Sequence, residues 1–126
     1  MPSGSSKLIP EASELSSHIF CGSAGEQEFT CRVLKLKNST MIYIGGRENE
    51  IFDELAVSMI SPSGDVISTT IMGRLLGCES QQLAEKMCKR LQKQIYVSCN
   101  IPSDRFNRPF IEKHLVDEIK NHREMF

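Results

Sequence analysis

The sequence predicts an α+β domain: an antiparallel-dominated β-sheet of about six strands with two helices, one before the last strand and one at the C-terminus. Three observations carry this. Leu55-Ala56-Val57-Ser58-Met59-Ile60 and Val66-Ile67-Ser68-Thr69-Thr70-Ile71-Met72-Gly73 read as strands joined by Ser61-Pro62-Ser63-Gly64-Asp65, a hairpin turn in which Pro fixes φ and Gly tolerates positive φ. Leu83, Ala84, Met87, Cys88 and Leu91 fall at i, i+1, i+4, i+5 and i+8, one stripe of a helix that covers a sheet. Lys93-Gln94-Ile95-Tyr96-Val97-Ser98-Cys99-Asn100 then returns to strand, and Phe110, Ile111, Leu115 and Ile119 form the apolar side of a last helix that reaches toward Phe126.

The remaining elements follow in chain order. Residues 1–13 are rich in Ser, Pro and charge, too poor in apolar surface to offset ordering entropy, so a flexible tail precedes a single domain over residues 14–126. Leu15 to Cys21 is the first strand, and Gly22-Ser23-Ala24-Gly25 reads as a loop. Phe29, Cys31 and Val33 alternate with Thr30 and Arg32, then the apolar phase moves to Leu34 and Leu36, which requires a bulge or burial on both faces near Val33-Leu34. Lys37-Asn38-Ser39-Thr40 turns the chain into Met41-Ile42-Tyr43-Ile44, apolar on both faces, hence central or covered by a partner. Pro109 suits the first turn of the last helix, where its missing N–H has no intrahelical acceptor to lose.

Composition narrows the function. A chain of 126 residues buries roughly two thirds of its unfolded surface. Its net charge of −1, with 25% charged residues, supplies no long-range field for nucleic acid or anionic lipid. No apolar run approaches the ~20 residues of a membrane span, and the amino terminus lacks the basic and apolar regions of a secretory signal. The expected setting is the cytosol or nucleus, and the expected partners are proteins. Asn38-Ser39-Thr40 matches a glycosylation acceptor but reads as a turn in a chain without an export signal.

Chemistry-bearing motifs are sparse. Cys21, Cys31, Cys78, Cys88 and Cys99 contain no C-x-x-C spacing and no nearby His pair, so they read as reduced thiols and small core residues. Gly45-Gly46-Arg47-Glu48-Asn49-Glu50 lacks the Lys-Ser/Thr ending and following helix of a phosphate loop, and its acids repel phosphate. His114 and His122 lack further ligands for a metal sphere. A nucleophile–base pair assembled from Cys21 or Cys99 with His18, His114 or His122 has no catalytic signature around it. The expectation is a protein without catalytic activity, cofactor or metal. Lys86, Lys89, Arg90 and Lys93 lie mainly on the outer face of the first helix, a solvated face or a contact for an acidic protein surface.

Particular words in the sequence carry a resemblance: Leu55-Ala56-Val57 with Met59, Ser68-Thr69 running to Gly73, Leu83-Ala84 opening the helix, and Lys93-Gln94 feeding Val97-Ser98 and Asn100. With looser likeness from Phe29 to Gly45 and over the last helix, the chain resembles the proteasome assembly chaperone 4 family everywhere except its first dozen or so residues. It departs in a longer polar amino-terminal tail and a shorter Gly77-Cys78-Glu79-Ser80 connection. The resemblance implies a chaperone for assembly of the 20S proteasome core particle, a heterodimer with proteasome assembly chaperone 3 that holds alpha-type subunits while the alpha ring forms. The alternative is a small α/β trafficking or signalling adaptor, since fold alone does not settle function.

Two surfaces are expected to matter. Met41, Tyr43, Val66 and Ile67 carry more apolar surface than one side of a small sheet needs, so they are candidates for a dimer interface, homodimeric when the chain is alone. Arg105, Phe106 and Arg108, in a charged loop before the last helix, are candidates for client binding because Arg and aromatic residues dominate hot spots. Phe106 also fits a staple beneath that helix, with both arginines solvated.

Overall fold

A three-stranded meander, a hairpin and one strand inserted between them organise the sheet. The computed structural model describes residues 16–24, 26–47, 50–73, 79–101 and 108–126, so the expected tail over residues 1–13 lies outside the described residues. The strands are β1 (Ser16–Ala24), β2 (Gln27–Lys35), β3 (Ser39–Gly46), β4 (Leu55–Ile60), β5 (Val66–Met72) and β6 (Gln94–Cys99). Helix α1 (Glu79–Leu91) precedes β6, and α2 (Arg108–Asn121) follows it, ending in a 3-10 turn at Arg123–Met125. The order is β1-β2-β3-β6-β4-β5, antiparallel throughout except where β6 runs parallel to β3. This is the α+β architecture the sequence predicts, with the Met41–Ile44 strand central between β2 and β6.

Alternation assigns one face of the sheet to the helices. Phe29, Cys31 and Val33 of β2, Ile42 and Ile44 of β3, Ile95, Val97 and Cys99 of β6 and Ala56 of β4 are buried beneath them. From α1 come Leu83, Ala84, Met87, Cys88 and Leu91, the stripe read from spacing, and from α2 Ile111, Leu115 and Ile119. Phe110, expected with them, is 51% exposed. It precedes Ile111 by one residue, about 100° around the helix, and so leaves the stripe. On the outer side of α2, Lys113 pairs with Asp117 one turn on at 3.1 Å, and Glu124, past the end of that helix, lies 3.7 Å from His122.

Local differences from the sequence reading have tertiary causes. Strand β1 continues through the expected Gly22–Gly25 loop to Ala24, paired with Gln27. Gly22 serves close packing: a Cβ there would meet the Phe29 ring at 2.7 Å and the His114 ring at 3.1 Å. No bulge occurs near Val33-Leu34, where both ladders of β2 run in register, and Leu34 simply occupies the uncovered face, 40% exposed. Helix α1 starts four residues before Leu83, at Glu79, because Glu54 reaches across from the start of β4. Its carboxylate accepts from Ser80 Oγ (2.7 Å) and Ser80 N (3.3 Å), satisfying a first-turn N–H with a remote acid. The chain past α2 turns back instead of continuing as helix, placing Phe126 in the core at 1% exposure.

Asn100 ties three segments at one end of the sheet. Its Oδ1 accepts from the backbone N–H groups of Asp53 (2.7 Å) and Glu54 (3.1 Å), and its Nδ2 donates to Ser98 Oγ at 2.8 Å. Its backbone N–H donates to the Ile44 carbonyl, extending the β3–β6 ladder. Asn100→Ala is therefore expected to cost about 2 kcal/mol, because the partly buried Glu54 N–H and the exposed Asp53 N–H both lose their acceptor. Urea unfolding measures it, and Asn100→Asp, which keeps the acceptor, should recover most of the loss.

Candidate interaction surface

The face of the sheet opposite the helices has no covering layer among the described residues. Across its middle, Leu34 pairs with Met41, Met41 with Tyr96 and Tyr96 with Val57, so four strands place an apolar or aromatic side chain in one transverse row. A second pair, Met59 opposite Ile67, lies toward the β4–β5 hairpin. The most open apolar residues on this face are Ile19 at 55%, Met59 at 41%, Ile67 at 53% and Ile71 at 54%. Strand periodicity is the cause. The same alternation that sends one set of residues under the helices sends the other set outward.

One edge of this face is organised by the segment after β3. Tyr43 stacks on Phe52 with ring centroids 6.2 Å apart and planes 11° from parallel, and its hydroxyl donates to the Ile51 carbonyl. Beside it, Arg32 makes a bidentate contact with Glu50, at 2.8 and 3.1 Å. Hydrogen bonding from Arg32 holds the Glu50 carboxyl below the usual carboxylate range, while burial and the neighbouring Glu50 push the Tyr43 phenol up. Ile51 and Phe52 remain exposed. The result is an apolar floor with a charged, hydrogen-bonded rim, the anatomy of a protein contact.

Met41, Tyr43 and Ile67 all belong to this face. Val66 does not: it pairs with Ile60 and packs against the helix-side core, since adjacent residues of a strand point to opposite faces. Ile19, Leu34, Met59 and Ile71 complete the patch. Carrying the alternation from Ile67 forward to Ile71 and across the hairpin to Met59 finds two of them in the sequence. Ile51 and Phe52 have no such signal, because their placement depends on a loop folding back to Tyr43.

The loop proposed from sequence for client contact divides. Arg105 and Phe106 lie outside the described residues. Arg108, the first residue of α2, pairs through Nη2 with the Glu79 carboxylate at the start of α1; Glu79 Oε2 and Arg108 Nε are buried and have no hydrogen-bond partner among the described residues. Arg108 thus links the two helices. Of the cysteines, Cys31, Cys88 and Cys99 are buried and Cys21 is exposed, while Cys78 lies outside the described residues. Burial, followed by the neighbouring Cys99, raises the Cys31 thiol well above its ordinary value, which disfavours the reactive thiolate. His114 packs edge-on against Phe29 at 5.4 Å, and His18 contacts Glu118 at 2.8 Å with the His122 ring 5.3 Å away. Among the described residues, no three His, Cys, Asp or Glu side chains gather as metal ligands.

Comparison with known proteins places this surface in context. The sequence model of a family described as Proteasome assembly chaperone 4 matches residues 28–101, the span from β2 through β6. Human Proteasome assembly chaperone 4 is 25% identical over 121 residues, covering 94% of this chain and 97% of the human protein. The mouse protein of the same name is 25% identical over 115 residues, covering 90% and 92%. Among solved structures, a chain from a crystal structure of a chaperone complex for yeast 20S proteasome assembly aligns with a TM-score of 0.65 at 12% identity, covering 86% of this chain and 97% of that one. The likeness to the yeast chain is one of fold.

Proposed function

This chain belongs to the proteasome assembly chaperone 4 family, and we propose from that premise that it promotes alpha-ring formation in the 20S core particle as a heterodimer with proteasome assembly chaperone 3. It acts in the cytosol or nucleus, without catalysis or cofactor. The observation that supports this most directly is the uncovered sheet face: open apolar residues on four of the six strands favour a second protein layer. With helices outside and two sheets face to face, such a pair has the layer order of a sandwich about 10 Å thick at its centre.

Binding is then the whole mechanism. A paired scaffold that holds alpha-type subunits lowers the translational and orientational cost of bringing them together, and it covers surfaces that would otherwise pair wrongly. Later subunits displace it by competing for the same space. The test is co-expression of the tagged chain with proteasome assembly chaperone 3 and the alpha-type subunits, followed by sedimentation of the purified complex. A one-to-one chaperone pair carrying an alpha subunit is the expected result. A chain that stays monomeric with that partner and retains no alpha subunit overturns the reading, and stoichiometric recovery of a small GTPase or its regulator would favour the adaptor alternative.

A further inference from the structure

The side of the molecule away from the sheet face carries a second surface, built between the two helices. A groove of about 480 Å³ runs there, with Met87 of α1 and Val116 of α2 among its apolar lining and Lys86, Lys89, Arg90 and Glu112 along its rim. Glu112 is engaged by Lys86 at 2.5 Å. Among the described residues, Lys89 and Arg90 make no ion pair. The positive character continues past the groove toward Lys93, with Lys35 and Arg123 nearby; burial, reinforced by those two cations, holds the Lys93 ammonium below the usual lysine range.

The charge is therefore lopsided. The one acid on the rim, Glu112, is already neutralised by Lys86, and among the described residues Lys89 and Arg90 have no acid of their own to offset them. Cations in the last turn of α1 are favoured by the helix dipole, which accounts for Lys89 and Arg90 in part. It does not account for Lys35 and Arg123, which come from β2 and the 3-10 turn to the same region. An apolar-lined groove with a one-sign rim fits a ligand of the opposite sign that also carries an apolar anchor.

We propose that the α1–α2 groove is a docking site for an acidic protein segment with an apolar anchor, held on the side of the chain opposite its pairing face. That the segment belongs to a client rests on the chaperone reading; the groove's preference for acidic, apolar-anchored sequence does not. The division of surfaces is mechanically useful. A sheet face committed to a chaperone partner leaves the helical side free to hold a subunit, so pairing and capture do not compete.

The experiment uses the full chain and a fluorescein-labelled peptide with Leu residues spaced among Glu and Asp, read by fluorescence anisotropy. Binding is expected, weakening as salt rises from ~0.05 to ~0.3 M because the rim charges become screened. Lys89→Glu with Arg90→Glu should reduce affinity by at least about tenfold, with only a small fall in melting temperature, since both side chains are exposed and lose just the dipole's preference for cations in the last turn of α1. The milder Lys89→Ala with Arg90→Ala should give a smaller loss in the same direction, and Ile67→Glu on the sheet face should give none. Replacing Leu by Gly in the peptide should also weaken binding. Equal binding by the charge-reversed protein, equal binding of a Lys-substituted peptide, or tighter binding of oligouridylate would overturn the proposal. The same Lys89→Glu, Arg90→Glu protein, co-expressed with proteasome assembly chaperone 3 and alpha subunits, separates the two readings. Undiminished alpha-subunit capture removes the groove as client site and leaves the chaperone reading standing; absence of capture by the wild-type chain removes the chaperone reading and leaves the peptide result to stand alone.

Discussion

Ile67→Glu is expected to weaken pairing with proteasome assembly chaperone 3 by about a hundredfold or more, roughly 2.7 kcal/mol, while leaving the folding of the chain itself nearly unchanged. Ile67 is 53% exposed and faces Met59, itself 41% exposed, across the β4–β5 ladder. Losing a buried isoleucine at an interface forfeits about 1.5–3 kcal/mol, and an unpaired carboxylate desolvated there adds a penalty of several kcal/mol unless water or a cation reaches it. In the isolated chain the same carboxylate stays in water and costs almost nothing. Val66→Glu is the internal control. It sits one residue away but packs toward the helix-side core, so it should lower the melting temperature instead. Sedimentation with the partner and thermal unfolding of each variant alone read the two effects separately. If Ile67→Glu pairs as tightly as the wild type, the open face is not the interface.

That contrast between neighbours also marks how far the sequence could be read. Strand identity, the hairpin and the α1 stripe were legible because each depends on local periodicity and turn chemistry. Val66 and Ile67 were grouped together from composition, although a period of two separates them as soon as either face is known. Strand order was not legible: β6, the last strand in sequence, enters between β3 and β4, and no local pattern encodes which strands become neighbours across long separations. The start of α1 was missed for a similar reason, since its first turn is satisfied by Glu54, 26 residues from Ser80. Gly22 looked like a loop residue because glycine's freedom is visible in a sequence and a close-packed ring is not. The words Ser98 and Asn100, noted for family likeness, proved to be members of one hydrogen-bonded clamp. The uncovered sheet face was half legible: Met41, Tyr43 and Ile67 lie on it, but the Ile51–Phe52 rim exists only through the Tyr43 contacts.

Phe126→Ala is expected to destabilise the chain by about 3–5 kcal/mol, the usual cost of emptying a buried phenylalanine site. A position at the end of the sequence would ordinarily fray and tolerate change. Here the 3-10 turn at Arg123–Met125 folds the chain back on β1 and β2, and Phe126 sits 1% exposed within the core cluster. Four hydrogen bonds hold the turn: Met125 N–H to the His122 carbonyl at 2.9 Å, Phe126 N–H to the Arg123 carbonyl at 3.1 Å, Lys35 Nζ to the Glu124 carbonyl at 2.8 Å, and the fully buried Thr40 hydroxyl to the Phe126 carbonyl. Thr40→Val tests the last of these without changing side-chain shape and should cost about 1–2 kcal/mol, because the hydroxyl donor is lost to a buried carbonyl. Domains of this size are stable by only about 5–15 kcal/mol, so the Phe126 substitution removes a large share, visible as a lower urea midpoint with little change in slope. Because the site lies on the helix side, molecules that remain folded should still pair. A loss below about 1 kcal/mol would mean that the end of the chain is detached in solution, and the core beneath α2 would then have to close without it.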